Sequence, residues 1–212
     1  MNQNQMEQEY KWHVPIETLA ALAQELHIAP QRTAHDTIQM EAIYYDTADD
    51  LVYKNGAAVR IRRENRRTIC CMKRTIKKEG ASALREEYEV EAADLADGLR
   101  KLPDVGAPRD FCEMLSRQTF REIGRTRFIR SCYTLHFTGD TPFTAEFAVD
   151  VGELGGNGRW SSFEELELEL KSGSSDAFSA YAADLERRFA LIPQKKSKLA
   201  RAIACAKLSP EK

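Results

Sequence analysis

Apolar and polar residues alternate along most of this chain with a period of two, the spacing of β-strands. From Phe143 to Val151, Phe143, Ala145, Phe147, Val149 and Val151 alternate with Thr144, Glu146, Ala148 and Asp150. From Trp160 to Lys171, Leu166, Leu168 and Leu170 oppose Glu165, Glu167, Glu169 and Lys171. A strand turns alternate residues to one face, so each segment has an apolar side and a charged side. The same reading places strands over Met6–His13, Thr33–Tyr45 (running into Asp46-Thr47), Ala57–Arg63, Thr68–Thr75, Leu84–Ala92 and Gln118–Phe137. Polar or glycine-rich runs at 64–67, 77–80 and 155–158 read as turns.

Helical spacing replaces the alternation in four or five places. Pro15 opens a helix carrying Ile16, Leu19, Leu22, Ala23 and Leu26 that ends near His27. Asp94 caps one with Leu95, Leu99 and Leu102, and Pro108 opens a piece with Phe111, Met114 and Leu115. Ser174 or Ser175 starts a helix with Phe178, Tyr181, Leu185 and Phe189 on one face; Ser197 starts the last, with Leu199, Ile203 and Ala206 as its apolar face. About eight strands with interspersed helices predict an α+β fold, an eight-stranded antiparallel β-barrel with helices packed outside. Without a linker or internal repeat, residues 1–212 are expected to form one domain.

Composition narrows the classes. Lys plus Arg number 31 against 33 Asp plus Glu, so no global field draws the chain to nucleic acid or membrane, and neither is expected as a partner. The start, 1–6, is polar and no stretch approaches about 20 apolar residues, which predicts a soluble, cytoplasmic protein. Five cysteines show no paired spacing and read as reduced thiols outside the chemistry. The four histidines are scattered without ligand spacing.

The charges fall in rows. Glu7, Glu9 and Lys11 share a face, as do Glu87 and Glu89, Glu165, Glu167 and Glu169, Arg60 and Arg62, and Arg125 and Arg127; Lys73 lies on the face of Ile69 and Cys71. One such row is ordinarily the solvated side of an antiparallel sheet. Several rows lining one barrel are another matter, because burying them unpaired costs several kcal/mol per ion. A ligand needing both signs explains them: phosphate takes Arg and Lys, and the Mg²⁺ or Mn²⁺ that accompanies it takes carboxylate oxygens.

At this point the residues resemble a known family. Glu7-Gln8-Glu9-Tyr10-Lys11 is an ExExK motif, weak alone, but it is followed in order by Tyr44-Tyr45-Asp46-Thr47, Ala58-Val59-Arg60-Ile61-Arg62-Arg63, Lys73 and Arg85-Glu86-Glu87-Tyr88-Glu89. Arg125-Thr126-Arg127, Glu146 to Asp150 with Gly152, Glu167-Leu168-Glu169 and Ser197-Lys198-Leu199-Ala200-Arg201 complete the series. The chain resembles the CYTH domain, or triphosphate tunnel metalloenzymes, over almost its whole length. The resemblance implies a tunnel that hydrolyses a triphosphate with divalent metal, Mg²⁺ or Mn²⁺. It implies Glu7, Glu9, Glu167 and Glu169, with Glu87, Glu89 and Asp150, as metal ligands. Lys11, Arg60, Arg62, Lys73, Arg125, Arg127 and Lys198 would grip phosphate, with Arg201 the weaker candidate because an ion pair can claim it. Lys11, Glu7 and Glu9 are the expected catalytic residues. Arg85 and Lys171 would balance carboxylates near the mouth, and Glu165 and Glu146 share the inward face.

Relatives in this family include inorganic triphosphatases, thiamine triphosphatases and one class of adenylyl cyclase. Thiamine enzymes carry an aromatic residue two positions before the first Arg of the strand pair; here that residue is Ala58, which disfavours thiamine triphosphate. Inorganic tripolyphosphate is therefore the expected substrate, with thiamine triphosphate hydrolysis, adenylyl cyclase activity and non-catalytic binding of polyphosphate or nucleotide as alternatives. A homodimer would follow if helices left an outward apolar strand face uncovered.

Overall fold

A computed structural model describes residues 6–79 and 82–207. The polar start, 1–5, and residues 80–81 lie outside the described residues, and 77–79, read from sequence as part of a turn, continue β4 in ladder with β5. The sheet contains β1 (Met6–His13), β2 (Arg32–Thr47), β3 (Ala57–Glu64), β4 (Arg67–Glu79), β5 (Ser82–Glu91), β6 (Phe120–Phe137), β7 (Phe143–Gly156), β8 (Arg159–Gly173) and the two-residue β9 (Ile192–Pro193). Its order is β5-β4-β3-β2-β6-β7-β8-β1-β9, and an extra β5–β1 pairing joins the ends. The first eight strands thus close an antiparallel barrel and leave no free edge among themselves.

Among the described residues six α-helices accompany it: α1 (Ile16–Ile28), α2 (Leu51–Lys54), α3 (Leu95–Lys101), α4 (Arg109–Ser116), α5 (Ser175–Phe189) and α6 (Lys198–Lys207). The caps are those the sequence supplies. Asp94 accepts from the Asp97 N–H and Ser174 from the Ala177 N–H, satisfying donors that a first turn leaves free. Asp46, buried at the end of β2, accepts from the Val52 and Tyr53 N–H groups at 2.9 and 3.1 Å, and so seats α2. No helix among the described residues is long and apolar enough to cross a membrane.

Strand alternation sorts the core into two outer layers. The outward sides of β1 and β6–β8 place Trp12, Tyr133, Leu135, Phe143, Phe147, Val149, Leu166 and Leu168 under Leu19 and Leu22 of α1 and Phe178, Ala182 and Leu185 of α5. Trp12 stacks on Tyr10 and donates its indole N–H to Glu186 of α5 at 2.9 Å. The outward sides of β3–β5 place Val59, Cys70, Met72 and Tyr88 under Val52, Leu99, Leu102, Cys112 and Leu115. With apolar faces covered outside, the charged faces of these strands point into the barrel.

A third, smaller cluster lies inside. Met40, Phe128, Leu154 and Phe163 occupy inward positions and pack on Ala202 and Cys205 of α6. Gly152 stands between Phe128 and Phe163 in the ladder; a Cβ there would come 2.4 Å from the Phe128 Cβ, so glycine makes room for the aromatic pair. The face expected for α6 requires correction. Lys198, Ala202 and Cys205 are its buried residues, whereas Leu199, Ile203 and Ala206 are half-buried. Electrostatics overrides periodicity here, because carboxylates inside the barrel turn Lys198 toward them.

Candidate active site

The inward row of each strand contributes to one charged interior. On one wall Arg60 of β3 stands opposite Cys71 of β4 and Arg62 opposite Ile69, while Cys71 and Lys73 stand opposite Glu89 and Glu87 of β5. Lys73 Nζ bridges Glu7 and Glu87 at 2.9 Å each. Arg62 reaches Glu89 at 2.9 Å and Glu64 at 2.6 Å, while Arg60 donates to the Tyr44 hydroxyl at 3.2 Å. Arg85 is buried against Glu9.

The opposite wall carries a second network. Asp150 and Glu165 have no exposed surface, and they sit with Glu167 so that one ligand oxygen from each lies within 4.8 Å of the others. Lys198 enters from α6 to meet Asp150 and Glu167 at 2.8 Å and also pairs with Glu165, which Arg201 pairs with too. Arg130 of β6 grips Asp150 through two bonds of 2.7 and 2.6 Å and touches Glu167 at 2.5 Å. Lys11 joins Glu167 at 2.7 Å and Glu9 at 3.1 Å. The Lys198 ammonium also lies 5.3 and 5.4 Å from the Phe128 and Phe163 ring centres, within range of their negative faces.

These surroundings set the protonation states. For Glu167, burial opposes ionisation but Lys11, Lys198 and Arg130 outweigh it, holding the carboxyl well below its usual range. For Glu165 burial prevails and, with the neighbouring Glu167 charge, raises it. Burial is likewise outweighed at Glu89, chiefly by Arg62, which brings it to about 2. Burial pushes the Cys71 thiol up to about 12 despite Arg60 and Arg62, so the sulfur is neutral.

Glu169, paired with Lys171 at 2.7 Å, is pushed up to about 7 from 4.5 by burial, with the Glu7 charge adding to the rise. A carboxyl raised on folding favours the native state while protonated. Its contribution is full below about pH 4.5 and is lost as pH rises through about 7. In chelator, Glu169→Gln is therefore expected to lose less stability than the unsubstituted protein between about pH 5 and pH 8, measured by urea unfolding. Equal losses would contradict the assignment.

Thirteen of the residues named from sequence meet inside the barrel: Glu7, Glu9, Lys11, Arg60, Arg62, Lys73, Glu87, Glu89, Asp150, Glu167, Glu169, Lys198 and Arg201. Arg125 and Arg127 do not. Their side chains are 47% and 57% exposed on the outer face, Arg125 bound to Glu122 and Arg127 to Glu153 beneath the Trp160 ring. Both share strand parity with Tyr133 and Leu135, which must face outward to pack in the core beneath α5. The inward arginine of β6 is Arg130, which that parity already marks. Sequence reasoning also passed over Glu165 as a ligand and took the cysteines as uninvolved, whereas Cys71 stands among Arg60, Arg62, Glu87 and Glu89.

Two described groups offer donor sets for a metal: Asp150, Glu165 and Glu167, and Cys71, Glu87 and Glu89. The first is all carboxylate, the chemistry a hard divalent cation prefers, and the Lys198 ammonium already shows that positive charge is held there. The residues fit such an ion.

Residues 5–203 match the family model described as CYTH domain. Among solved structures, a Hippeastrum protein, a proposed adenylyl cyclase with a dominant triphosphatase activity, is 19% identical with TM-score 0.61, covering 96% of this chain and 98% of its own. A proposed adenylate cyclase from Bacillus halodurans is 19% identical with TM-score 0.52, covering 89% and 93%. The triphosphatase of the Mimivirus capping enzyme is 11% identical with TM-score 0.50, covering 91% of each chain. At these identities the likeness shows the fold alone.

Proposed function

The chain belongs to the CYTH domain family, and from that premise we propose that it is a divalent-metal-dependent triphosphatase that splits inorganic tripolyphosphate into pyrophosphate and phosphate. One observation carries the reading: cations and carboxylates from all sides converge inside a closed barrel, beyond what stability alone rewards. Arg60, Arg62 and Lys73 on one wall, with Lys11 and Arg130 on the other, supply donors at several points along a phosphate chain. Arg62, Lys73, Lys11 and Arg130 are each held by a carboxylate that a phosphate oxygen would displace, and Arg60 by the Tyr44 hydroxyl and the Cys71 sulfur, so the grip is aimed before substrate arrives.

Glu7, Glu9, Glu167 and Glu169, with Asp150 and Glu165, are the residues that would hold Mg²⁺ or Mn²⁺. Either ion, when bound, supplies charge neutralisation on phosphate oxygens and acidifies the attacking water. The chain's own part is to fix the non-reacting phosphates and to surround the terminal phosphorus with positive charge, without a side-chain nucleophile.

Substrate choice rests on Ala58, where an organic group finds no ring to stack on. Phosphate release from tripolyphosphate is expected to exceed that from ATP and thiamine triphosphate by at least about tenfold in kcat/KM with Mg²⁺ or Mn²⁺. A preference for either organic substrate, or formation of cyclic AMP from ATP, would overturn this assignment.

A further inference from the structure

Cys71 sits at the centre of the Arg60–Arg62 wall and has no part in the chemistry above. Its ladder partners are Arg60 on β3 and Glu89 on β5. The sulfur accepts from Arg60 Nη2 at 3.7 Å and Arg62 Nη1 at 3.6 Å. Its S–H donates to Glu89 Oε1 at 2.6 Å, with Glu87 Oε1 at 3.5 Å. Cys70, the preceding residue, faces the other way into the apolar layer under α3. One thiol therefore touches both arginines and both carboxylates of this wall.

Sulfur suits that position for a physical reason. It is a weak acceptor, so it steadies two guanidinium groups without neutralising them. A carboxylate there would form charge-assisted bonds to both and compete with phosphate. An apolar side chain would offer them nothing, and they would settle further onto the acids nearby, since Arg62 is already 2.9 Å from Glu89 and Arg60 3.9 Å from Glu87. Resting on the reading of this wall as a triphosphate grip, we infer that Cys71 is a positioning residue: it holds Arg60 and Arg62 aimed into the barrel and sets affinity for the phosphate chain without touching it.

Steady-state kinetics with tripolyphosphate and Mg²⁺ test this through Cys71→Val, Cys71→Ser and Cys71→Asp, with Cys70→Ala as a control for packing. Cys71→Val is expected to raise KM about five- to tenfold with kcat within about twofold, the size of an ordinary lost hydrogen bond, as suits sulfur's weakness as an acceptor. Cys71→Ser, which keeps a donor and an acceptor, should restore KM to within about twofold. Cys71→Asp should raise it beyond Cys71→Val, and Cys70→Ala should lower thermal stability while leaving KM alone. An unchanged KM in Cys71→Val, or a rise in Cys71→Ser equal to it, would overturn the inference. If Cys71→Val does not fold, the Ser and Asp variants decide: Asp weakening while Ser does not supports it, and Asp without effect overturns it. Absence of turnover in the unsubstituted protein is a separate outcome, which overturns the triphosphatase reading and the inference with it.

Discussion

Replacing Glu7 and Glu9 together by Gln is expected to lower tripolyphosphate hydrolysis by about a thousandfold or more at saturating Mn²⁺, with the barrel still folded. Both side chains are buried on the inward face of β1, between the two walls. Gln keeps their shape and removes two charges, which weakens the hold on a divalent ion and on the charge it neutralises. The fold tolerates this because the cations concerned are shared: Lys73 retains Glu87 and Lys11 retains Glu167. Arg85, paired with Glu9, bears the main loss, a few kcal/mol for a buried charge deprived of its partner, by an estimate of about 3–5 kcal/mol. Phosphate release titrated against Mn²⁺, beside a circular dichroism melt, reads both effects. Activity retained at saturating metal would remove Glu7 and Glu9 from the site.

The barrel was legible because two constraints acted together. Phe143, Phe147 and Val149 on β7 and Leu166 and Leu168 on β8 alternate strictly with charge, and an antiparallel sheet with one apolar face must cover it. Helices with apolar stripes supply that cover at the right places. The acids and bases of β1, β3, β4, β5 and β8 followed from the same parity. What failed was Arg125 and Arg127, carried over from the family resemblance although the unbroken alternation from Arg125 to Leu135 sets them on the outward side of β6. Arg125 and Arg127 look like Arg60 and Arg62 in isolation; only Tyr133 and Leu135, several residues on, show which side of that strand is the core. Contacts between elements distant in sequence were harder still. The motif Ser197 to Arg201 marked Lys198 for the interior through the family resemblance, but the spacing of Leu199, Ile203 and Ala206 gave no sign that three carboxylates from β7 and β8 would hold it there. Cys71 was hidden for the opposite reason, since one of two adjacent cysteines in a strand reads as an uninvolved thiol until its neighbours across the ladder are known.

Lys198 is where stability and metal binding meet, and its removal separates them. With 7% of its side chain exposed, it neutralises Asp150 and Glu165, which have none. Lys198→Met fills similar volume and leaves Arg130 on Asp150 and Glu167, and Arg201 on Glu165, so the interior gains one uncompensated negative charge. In chelator near neutral pH the variant is expected to be less stable by about 3–5 kcal/mol. The loss should shrink as pH falls, because Glu165 is already raised by burial and takes up a proton first. Mn²⁺ should return much of the loss, since the three carboxylates offer oxygens within 4.8 Å of one another and binding to the native state alone stabilises it. The unsubstituted protein should gain less at this site, where its own ammonium competes for the same oxygens. Urea midpoints with chelator and with Mn²⁺ give the comparison directly. A variant as stable as its parent in chelator would show that the acids need no latch, and an equal gain from Mn²⁺ in both proteins would place the ion elsewhere.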